Sequence, residues 1–302
     1  MKKNRSMIIA FTVPATVLFL LAFVYPVLRT IVMSFFTIVE LTDPIDKWVF
    51  NGLGNYKQLL QTPLYVRAWT NLFKIFFFGG IITLGISLIF ALILSSGIRG
   101  KRFYQNVIYL PNIVSAIAMA TMWIQYVFHP TYGFLRSLFS FLGWEEAANF
   151  QWLSGDHKFS AMLISYCFGT IGYYMLIWIS GIKRIDEEYY EAAKIDGANG
   201  WQEIRYITLP LLKGILRTNL IMWSISVSGF FVWAKMYSPI SADISTVVPM
   251  VFMYEKLFGT ENVTDYVRDA GLSSAVGVML TLFIVILFII FSKTLRTDDF
   301  EF

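Results

Sequence analysis

The sequence lacks most of the groups from which enzyme and metal sites are built. Its single cysteine, Cys167, excludes an intrachain disulfide, and its two histidines, His129 and His157, stand apart without a neighbouring cysteine or pair of carboxylates. It has no Gly-x4-Gly-Lys-Ser/Thr loop to hold nucleotide phosphates and no Ser-His-Asp arrangement. We therefore expect no catalytic residue, no metal and no cofactor on this chain.

Charged residues are also scarce, at 15% of the 302 residues, whereas hydrophobic residues make up 57%. A water-soluble globule cannot bury so much apolar surface. The apolar residues form continuous runs of about 20, the length that a helix needs to cross the bilayer, whereas barrel strands alternate. We therefore predict an all-α membrane protein with six transmembrane helices, at Met7–Leu28, Leu72–Ser95, Val107–Phe128, Ala161–Ile182, Thr218–Tyr237 and Leu272–Phe291.

Basic residues are unevenly distributed among the predicted loops. Lys2, Lys3 and Arg5 precede the first span without an acid, and the loop at positions 99–102 is also basic. The loops after the third and fifth spans carry more acids than bases. Because short loops rich in lysine and arginine stay in the cytoplasm, both termini and the loop between the fourth and fifth spans are predicted to be cytoplasmic.

That loop, residues 183–213, contains EAAKIDGANGWQEIRYITLP at positions 191–210. Acids at its beginning suit a helix N-terminus, and Gly197 is placed to end this helix in a left-handed conformation. A second short helix is predicted at about Trp201–Thr208. One face of the first helix carries apolar residues at helical spacing, namely Ile185, Tyr189, Ala192 and Ala193.

The segment resembles the EAA loop, EAA-x3-G-x9-I-x-LP, of the membrane subunits of binding-protein-dependent ABC importers, with every fixed position filled. In that family the loop is a coupling helix that docks in a cleft of the ATPase subunit, with Glu191 and Gly197 at the central positions. An amphipathic helix on the lipid headgroups is the alternative, but its acidic face would be repelled by anionic lipid. The resemblance implies an ATPase-coupling role for Glu191, Ala192, Ala193, Asp196, Gly197, Ile207, Leu209 and Pro210.

The resemblance covers nearly the whole chain. It implies a type I ABC importer permease architecture, as one transmembrane domain over residues 1–302 in the bacterial cytoplasmic membrane. The implied partners are a second permease subunit of different sequence, two ATP-binding subunits that hold ATP and Mg, and an extracytoplasmic solute-binding protein that delivers a carbohydrate. The order of short motifs is similar to that of MalF-like sugar permeases: Pro14-Ala15, Tyr25-Pro26, Ser34-Phe35, Gly52-Leu53-Gly54-Asn55-Tyr56 and Tyr109-Leu110-Pro111.

Polar and aromatic residues around the middle of three spans suggest a substrate pathway. Aromatic rings can cover the apolar face of a sugar while hydroxyl groups bind its rim. For any single one of these residues ordinary helix packing is the favoured explanation, so the hypothesis concerns the group. Its members are Ser115 and Met119 in the third span, Tyr166, Thr170 and Tyr173 in the fourth, and Trp223, Ser226 and Phe230 in the fifth.

Two other functions stay open. An ABC importer permease for amino acids, peptides or phosphate would carry the same coupling loop. A secondary transporter usually needs ionisable groups or interrupted helices within the membrane. The predicted spans contain no aspartate or glutamate, and Lys74 and Lys235 lie near span ends, so the secondary transporter is less favoured.

Overall fold

The structure, a computed structural model, describes residues 5–155, 157–259 and 268–295. Two short strands, β1 (Phe36–Thr37) and β2 (Val49–Phe50), pair antiparallel, and Ile45–Lys47 forms a 3-10 turn. Single π-helical turns lie at Leu20–Val24, Ile75–Gly79, Trp123–Val127 and Ile204–Thr208. The α-helices are α1 (Arg5–Phe19), α2 (Tyr25–Met33), α3 (Gly54–Gln61), α4 (Pro63–Lys74), α5 (Gly80–Ser95), α6 (Lys101–Ile113), α7 (Ala116–Met122), α8 (Phe134–Phe141), α9 (Glu145–Ala148), α10 (His157–Ile182), α11 (Glu187–Ile195), α12 (Gly200–Glu203), α13 (Leu209–Leu211), α14 (Lys213–Ser228), α15 (Val232–Tyr237), α16 (Pro249–Phe258) and α17 (Ala270–Thr294).

The residues group into two compact units, and the first draws on Met1–Val66 and Phe252–Leu282. In this unit the side-chain amide of Asn55 donates hydrogen bonds to the carbonyls of Ser34, at 2.9 Å, and Phe36, at 2.8 Å. Asn55 is buried, so these bonds satisfy backbone groups that water does not reach. The Gly-Leu-Gly-Asn-Tyr motif of the sequence therefore fixes α3 to the strand pair.

The second unit draws on Arg67–Val251 and Phe283–Phe302 and is organised around α10. This helix has 26 residues, so it is about 39 Å long at 1.5 Å per residue and can cross a bilayer. Helices α5, α6, α7, α14 and α15 pack against it. Gly172 allows α6 to approach closely, because a Cβ atom there would collide with the backbone of Ile108. The single-domain prediction for residues 1–302 stays a prediction.

Four helical segments of the described chain are long and apolar enough to cross a membrane unaided. They coincide with the first, second, fourth and sixth predicted spans. Three of them extend beyond one end of the predicted run and the last extends beyond both, because polar residues continue the helix at these ends. The segments are Ile9–Met33, Pro63–Ser95, His157–Ile182 and Ala270–Thr294.

The prediction of one continuous helix for the third span is wrong. α6 and the following helical segment Ala116–Val127 meet at an angle of 97°. Pro111 removes one backbone donor near the end of α6, and Val114 adopts an extended conformation. Ser115 then begins the next helix, since its hydroxyl oxygen accepts a hydrogen bond from the backbone N–H of Ala118 at 3.3 Å.

The fifth predicted span, Thr218–Tyr237, is also interrupted. α14 ends at Ser228 and α15 begins at Val232. α14 has 16 residues and α15 has 6, so each is too short to cross a bilayer by itself. Gly229 lies at the end of α14, where its lack of a side chain makes continuation of the helix less favourable.

Both interrupted segments nevertheless pack along α10. Gln105 in α6 lines a cleft together with Ile182 at the end of α10, and Gln125 lines a second cavity together with Lys158 at its beginning. For the fifth span, the Tyr237 hydroxyl lies 2.8 Å from the hydroxyl of Ser165 in the first half of α10. These contacts favour the interpretation that each interrupted segment is one membrane span with a break in it. The total of six crossings stays a prediction.

Candidate functional site: the coupling segment and the mid-span cluster

The coupling segment, residues 183–213, begins with the predicted helix, now α11. Asp186 precedes it in an extended conformation, as is typical of the residue before a helix. Glu187 and Glu188 occupy its first turn and Lys194 its last. This distribution complements the helix dipole and stabilises a short helix on a protein surface.

Gly197 ends α11 as predicted, in a left-handed conformation with φ of +79°. The N–H of Ala198 donates to the carbonyl of Ala193 at 2.9 Å, and the N–H of Gly197 donates to the carbonyl of Lys194 at 3.1 Å. No atom lies within 4 Å of the position that a Cβ atom would take on Gly197. Glycine is therefore favoured here by backbone conformation and not by lack of space.

The second predicted helix, Trp201–Thr208, is present but begins one residue earlier, at Gly200. The Asn199 side chain accepts a hydrogen bond from the Gln202 N–H at 3.0 Å, and the Asn199 N–H donates to the Gln202 side chain at 2.7 Å. This reciprocal cap fixes the start of α12. The helix then widens into the π-helical turn before Pro210, which has no N–H to continue the regular bonding.

Both ends of the coupling segment are anchored to the second unit. Ile185, just before α11, packs against a cluster of buried apolar residues that includes Leu212, just before α14. Between these ends, the hydroxyls of Tyr190 and Thr208 lie 3.0 Å apart and join α11 to the π-helical turn. The other members of the cluster are Ala91, Leu94, Met175, Trp178 and Ile179.

The coupling segment exposes large apolar side chains between its charges. Ile195 is 87% exposed, Tyr206 69% and Trp201 67%. Glu191 and Asp196, two of the predicted coupling residues, are exposed as well. Aromatic and apolar side chains held outward on an anchored segment are typical of a protein contact surface.

Beside α11 lies a cleft of about 790 Å³. Glu191 and Lys194 line one side of it, and Lys101 and Gln105 of α6 line another. Glu191 is therefore reachable both from the outer surface of the segment and from this cleft. The sequence gives no sign of the contribution from α6, because that contribution depends on how distant helices pack.

At mid-span, the structure brings four of the predicted pathway residues together. The Tyr166 hydroxyl lies 2.8 Å from the Ser226 hydroxyl. The Tyr166 ring meets Phe230 edge-on at 4.7 Å and Trp223 at 5.7 Å, measured between ring centroids. Trp223 is fully buried, and its indole N–H donates to the Phe76 carbonyl at 2.9 Å. Trp223 therefore forms the wall of this cluster, whereas Tyr166 and Ser226 supply its hydroxyl groups.

The other predicted pathway residues are not part of this hydroxyl-bearing group. Ser115 caps α7, and the Thr170 hydroxyl donates to the carbonyl of Tyr166 one turn earlier, at 3.0 Å. Met119 is buried beside Gly169, and Tyr173 is 38% exposed and contacts the Tyr174 ring. Sequence reasoning missed Trp233, whose ring lies 5.7 Å from that of Tyr166. Its aromatic character, three residues beyond Phe230, was the available signal.

A third polar feature lies at the beginning of α10. The Lys158 ammonium group is 2.6 Å from the Asp243 carboxylate. Burial disfavours the charged carboxylate, but hydrogen bonds from Lys158 and from the N–H and hydroxyl of Ser245 outweigh it and lower the pKa of Asp243 to about 2. The side chain of Asn71 also binds the same loop, donating to the Val247 carbonyl at 2.9 Å. The loop before α16 is thus held against α10 and α4.

The packed apolar helices of the fold are those of a membrane transport subunit. Residues 81–295 match the family described as the inner membrane component of binding-protein-dependent transport systems. This match covers more than half of the 302 residues. The chain belongs to that family.

Individual relatives agree. A probable ABC transporter permease protein of Pyrococcus horikoshii is 31% identical over 84% of this chain and 86% of its own length. The diacetylchitobiose uptake system permease protein NgcF of Streptomyces coelicolor is 29% identical over 76% of this chain and 66% of its own length. A crystal structure of a bacterial ABC transporter involved in the import of the acidic polysaccharide alginate aligns with a TM-score of 0.81 at 18% identity, over 99% of this chain and 97% of the other. The fold is thus that of an ABC importer permease, as predicted.

Proposed function

We propose that the chain forms half of the transmembrane pathway of an ATP-driven importer for a carbohydrate delivered by an extracytoplasmic binding protein. The observation that carries the carbohydrate assignment is the similarity to the diacetylchitobiose permease. The mid-span cluster supports it, because paired hydroxyls beside aromatic rings suit the mixed surface of a sugar.

The proposal assigns ATP hydrolysis to other chains. Two ATP-binding subunits would hold ATP and Mg, and a second permease subunit of different sequence would complete the pathway. This chain would act without a catalytic group of its own. The exposed Trp201, Tyr206 and Ile195 side chains support a contact between the coupling segment and an ATP-binding subunit.

Purification of the complex through a tag on this chain tests the proposal. We expect a nucleotide-binding ATPase and a second permease to copurify, and we expect ATP hydrolysis in proteoliposomes to rise several-fold when the loaded binding protein is added, as differential binding to one conformational state predicts. Radiolabelled disaccharide should then accumulate in the vesicles. The same assay with labelled amino acid, peptide or phosphate serves as the control.

Two outcomes would contradict the proposal. Accumulation of an amino acid, peptide or phosphate with no carbohydrate uptake would show that the chain serves an ATP-driven importer for a different class of solute. Solute uptake by the chain without any ATPase, driven by an ion gradient, would identify a secondary transporter.

The proposed orientation places both termini and the coupling segment in the cytoplasm. Cysteines introduced at Lys213 and Ser140, both exposed, should label differently in intact cells. An impermeant thiol reagent should modify Ser140→Cys at once and Lys213→Cys only after the cells are permeabilised. Buried Cys167 supplies little background. Labelling of Lys213→Cys from outside would reverse the orientation.

A further inference from the structure

Helix α8 lies on the second unit at the end of α10 that is remote from the coupling segment. It follows the helical segment Ala116–Val127 after a short turn, and this segment lines a cavity together with Lys158 near the first residue of α10. The coupling segment follows the last residue of α10. α8 is therefore placed where the third span leaves the membrane.

The side chains around α8 fall into three sectors. At about 100° of rotation per residue, Leu135, Arg136 and Phe139 share the sector that packs on the protein, and each is partly buried. Ser137 and Ser140 form a second, exposed polar sector. The third sector is exposed and entirely apolar: Phe134 at 61%, Leu138 at 37%, Phe141 at 87% and Leu142 at 48%.

The helix is held in a fixed orientation. The guanidinium group of Arg136 donates to the carbonyl of Pro130 at 2.8 Å and to the side-chain oxygen of Asn149 at 3.1 Å. The amide of Asn149 donates in turn to the carbonyl of Glu145 at 3.0 Å. Phe139 stacks on Trp144 with ring centroids 6.0 Å apart. Because these contacts hold the side of α8 that carries Arg136 and Phe139, the apolar sector stays exposed.

A water-filled surrounding does not suit this sector, because it would leave four large apolar side chains in contact with water. A soluble partner that docks and leaves in each transport cycle does not suit it either, since transient interfaces are no more apolar than ordinary surface. Lipid suits the sector, because it shields apolar side chains from water and stays in place throughout the transport cycle. The turn that precedes α8 and packs against it carries Tyr126, which is exposed, as are Tyr132 and Trp144 on either side of the helix. Tyrosine and tryptophan are enriched at membrane–water interfaces.

We propose that α8 is an interfacial helix that seats its Phe134–Leu138–Phe141–Leu142 face in the lipid headgroup and upper acyl region, while Ser137 and Ser140 face water. Three sectors correspond to three surroundings: protein, lipid and solvent. The helix would hold the end of the third span at a defined membrane depth. The inference does not depend on which solute is carried.

Fluorescence quenching in the assembled complex tests this inference. Leu138→Cys and the matched control Ser140→Cys, on the same helix, would each be labelled with an environment-sensitive dye in phosphatidylcholine nanodiscs. We expect quenching by aqueous iodide to be about threefold weaker at position 138 than at 140, and quenching by headgroup-proximal spin-labelled lipid to show the opposite order, as for a helix lying in the interface. Phe134→Cys should repeat the result for position 138.

Two results would overturn the inference. Equal iodide quenching at positions 138 and 140 would place the apolar sector in water. Protection of position 138 that appears only when the loaded binding protein is added would make the sector a protein docking surface. Neither result would bear on carbohydrate uptake, which is measured separately.

Discussion

Gly197→Val and Glu191→Lys should each lower solute transport at least tenfold while leaving the chain inserted in the membrane. Gly197 has φ of +79°, and a β-branched residue held there costs on the order of 1–3 kcal/mol, so the chain would relax and reorient α11. Glu191→Lys reverses an exposed charge on the proposed ATPase contact. Loss of a paired charge at an interface costs about 2–5 kcal/mol, so transport should fall at least tenfold.

The measurement compares ATPase retention and stimulated ATP hydrolysis in detergent-purified complexes. Two matched controls lie on the same segment. Gly200 has open space around it and an ordinary backbone conformation, so Gly200→Ala should be neutral. Glu188→Lys makes the same charge change at a neighbouring exposed position, where the lost interaction with the helix dipole costs only about 0.3–1 kcal/mol, so it should lower transport much less. Normal retention and stimulation in both test variants would show that this segment does not couple the subunits.

Trp223→Ala should destabilise the complex and lower its yield, which differs from a simple loss of solute binding. The Trp223 side chain is fully buried, packs against Gly79 and Gly80, and donates a hydrogen bond to the Phe76 carbonyl. Removal of a buried aromatic side chain typically costs about 3–5 kcal/mol. A lowered midpoint of thermal unfolding in detergent would be the readout.

The control for this prediction is Tyr173→Ala, because Tyr173 is 38% exposed and should lose much less stability. Ser226→Ala and Tyr166→Phe then test the pathway without removing a ring. They delete the hydroxyls that face each other at 2.8 Å and should raise the half-saturation concentration for solute at near-normal stability. An unchanged midpoint of thermal unfolding for Trp223→Ala would show that Trp223 does not support the packing of the mid-span cluster. Normal transport by both hydroxyl variants would remove the cluster from the pathway.

The sequence predicted those features whose cause is local. Gly197 ends α11 because its offset from the helix and its backbone freedom are both visible in the sequence. Four spans follow from uninterrupted apolar runs. The breaks at Val114 and Gly229 were missed because the apolar pattern continues through them, and composition alone does not distinguish a bent helix from a straight one.

Features that depend on packing between distant residues were harder to predict from the sequence. The bond between Tyr190 and Thr208 links residues whose separation is fixed by the π-helical turn, and no residue pattern announces that turn. The placement of Trp223 against the carbonyl of Phe76 likewise depends on two helices distant in sequence. The cap formed by Asn199 and Gln202 differs from these features because it is local. An asparagine followed three residues later by glutamine is a sequence pattern that indicates the start of a helix.

The unbroken course of α10 has a mechanical consequence. No proline interrupts this helix between His157 and Ile182, so it acts as a stiff rod. We expect a displacement of the coupling segment at one end of α10 to be carried to Lys158 and its cavity at the other end. The third and fifth predicted spans beside it are broken at Val114 and Gly229. No continuous helix therefore fixes the angle between the two halves of either span. We therefore expect movements of this subunit to bend the third and fifth predicted spans at these breaks and to leave α10 straight.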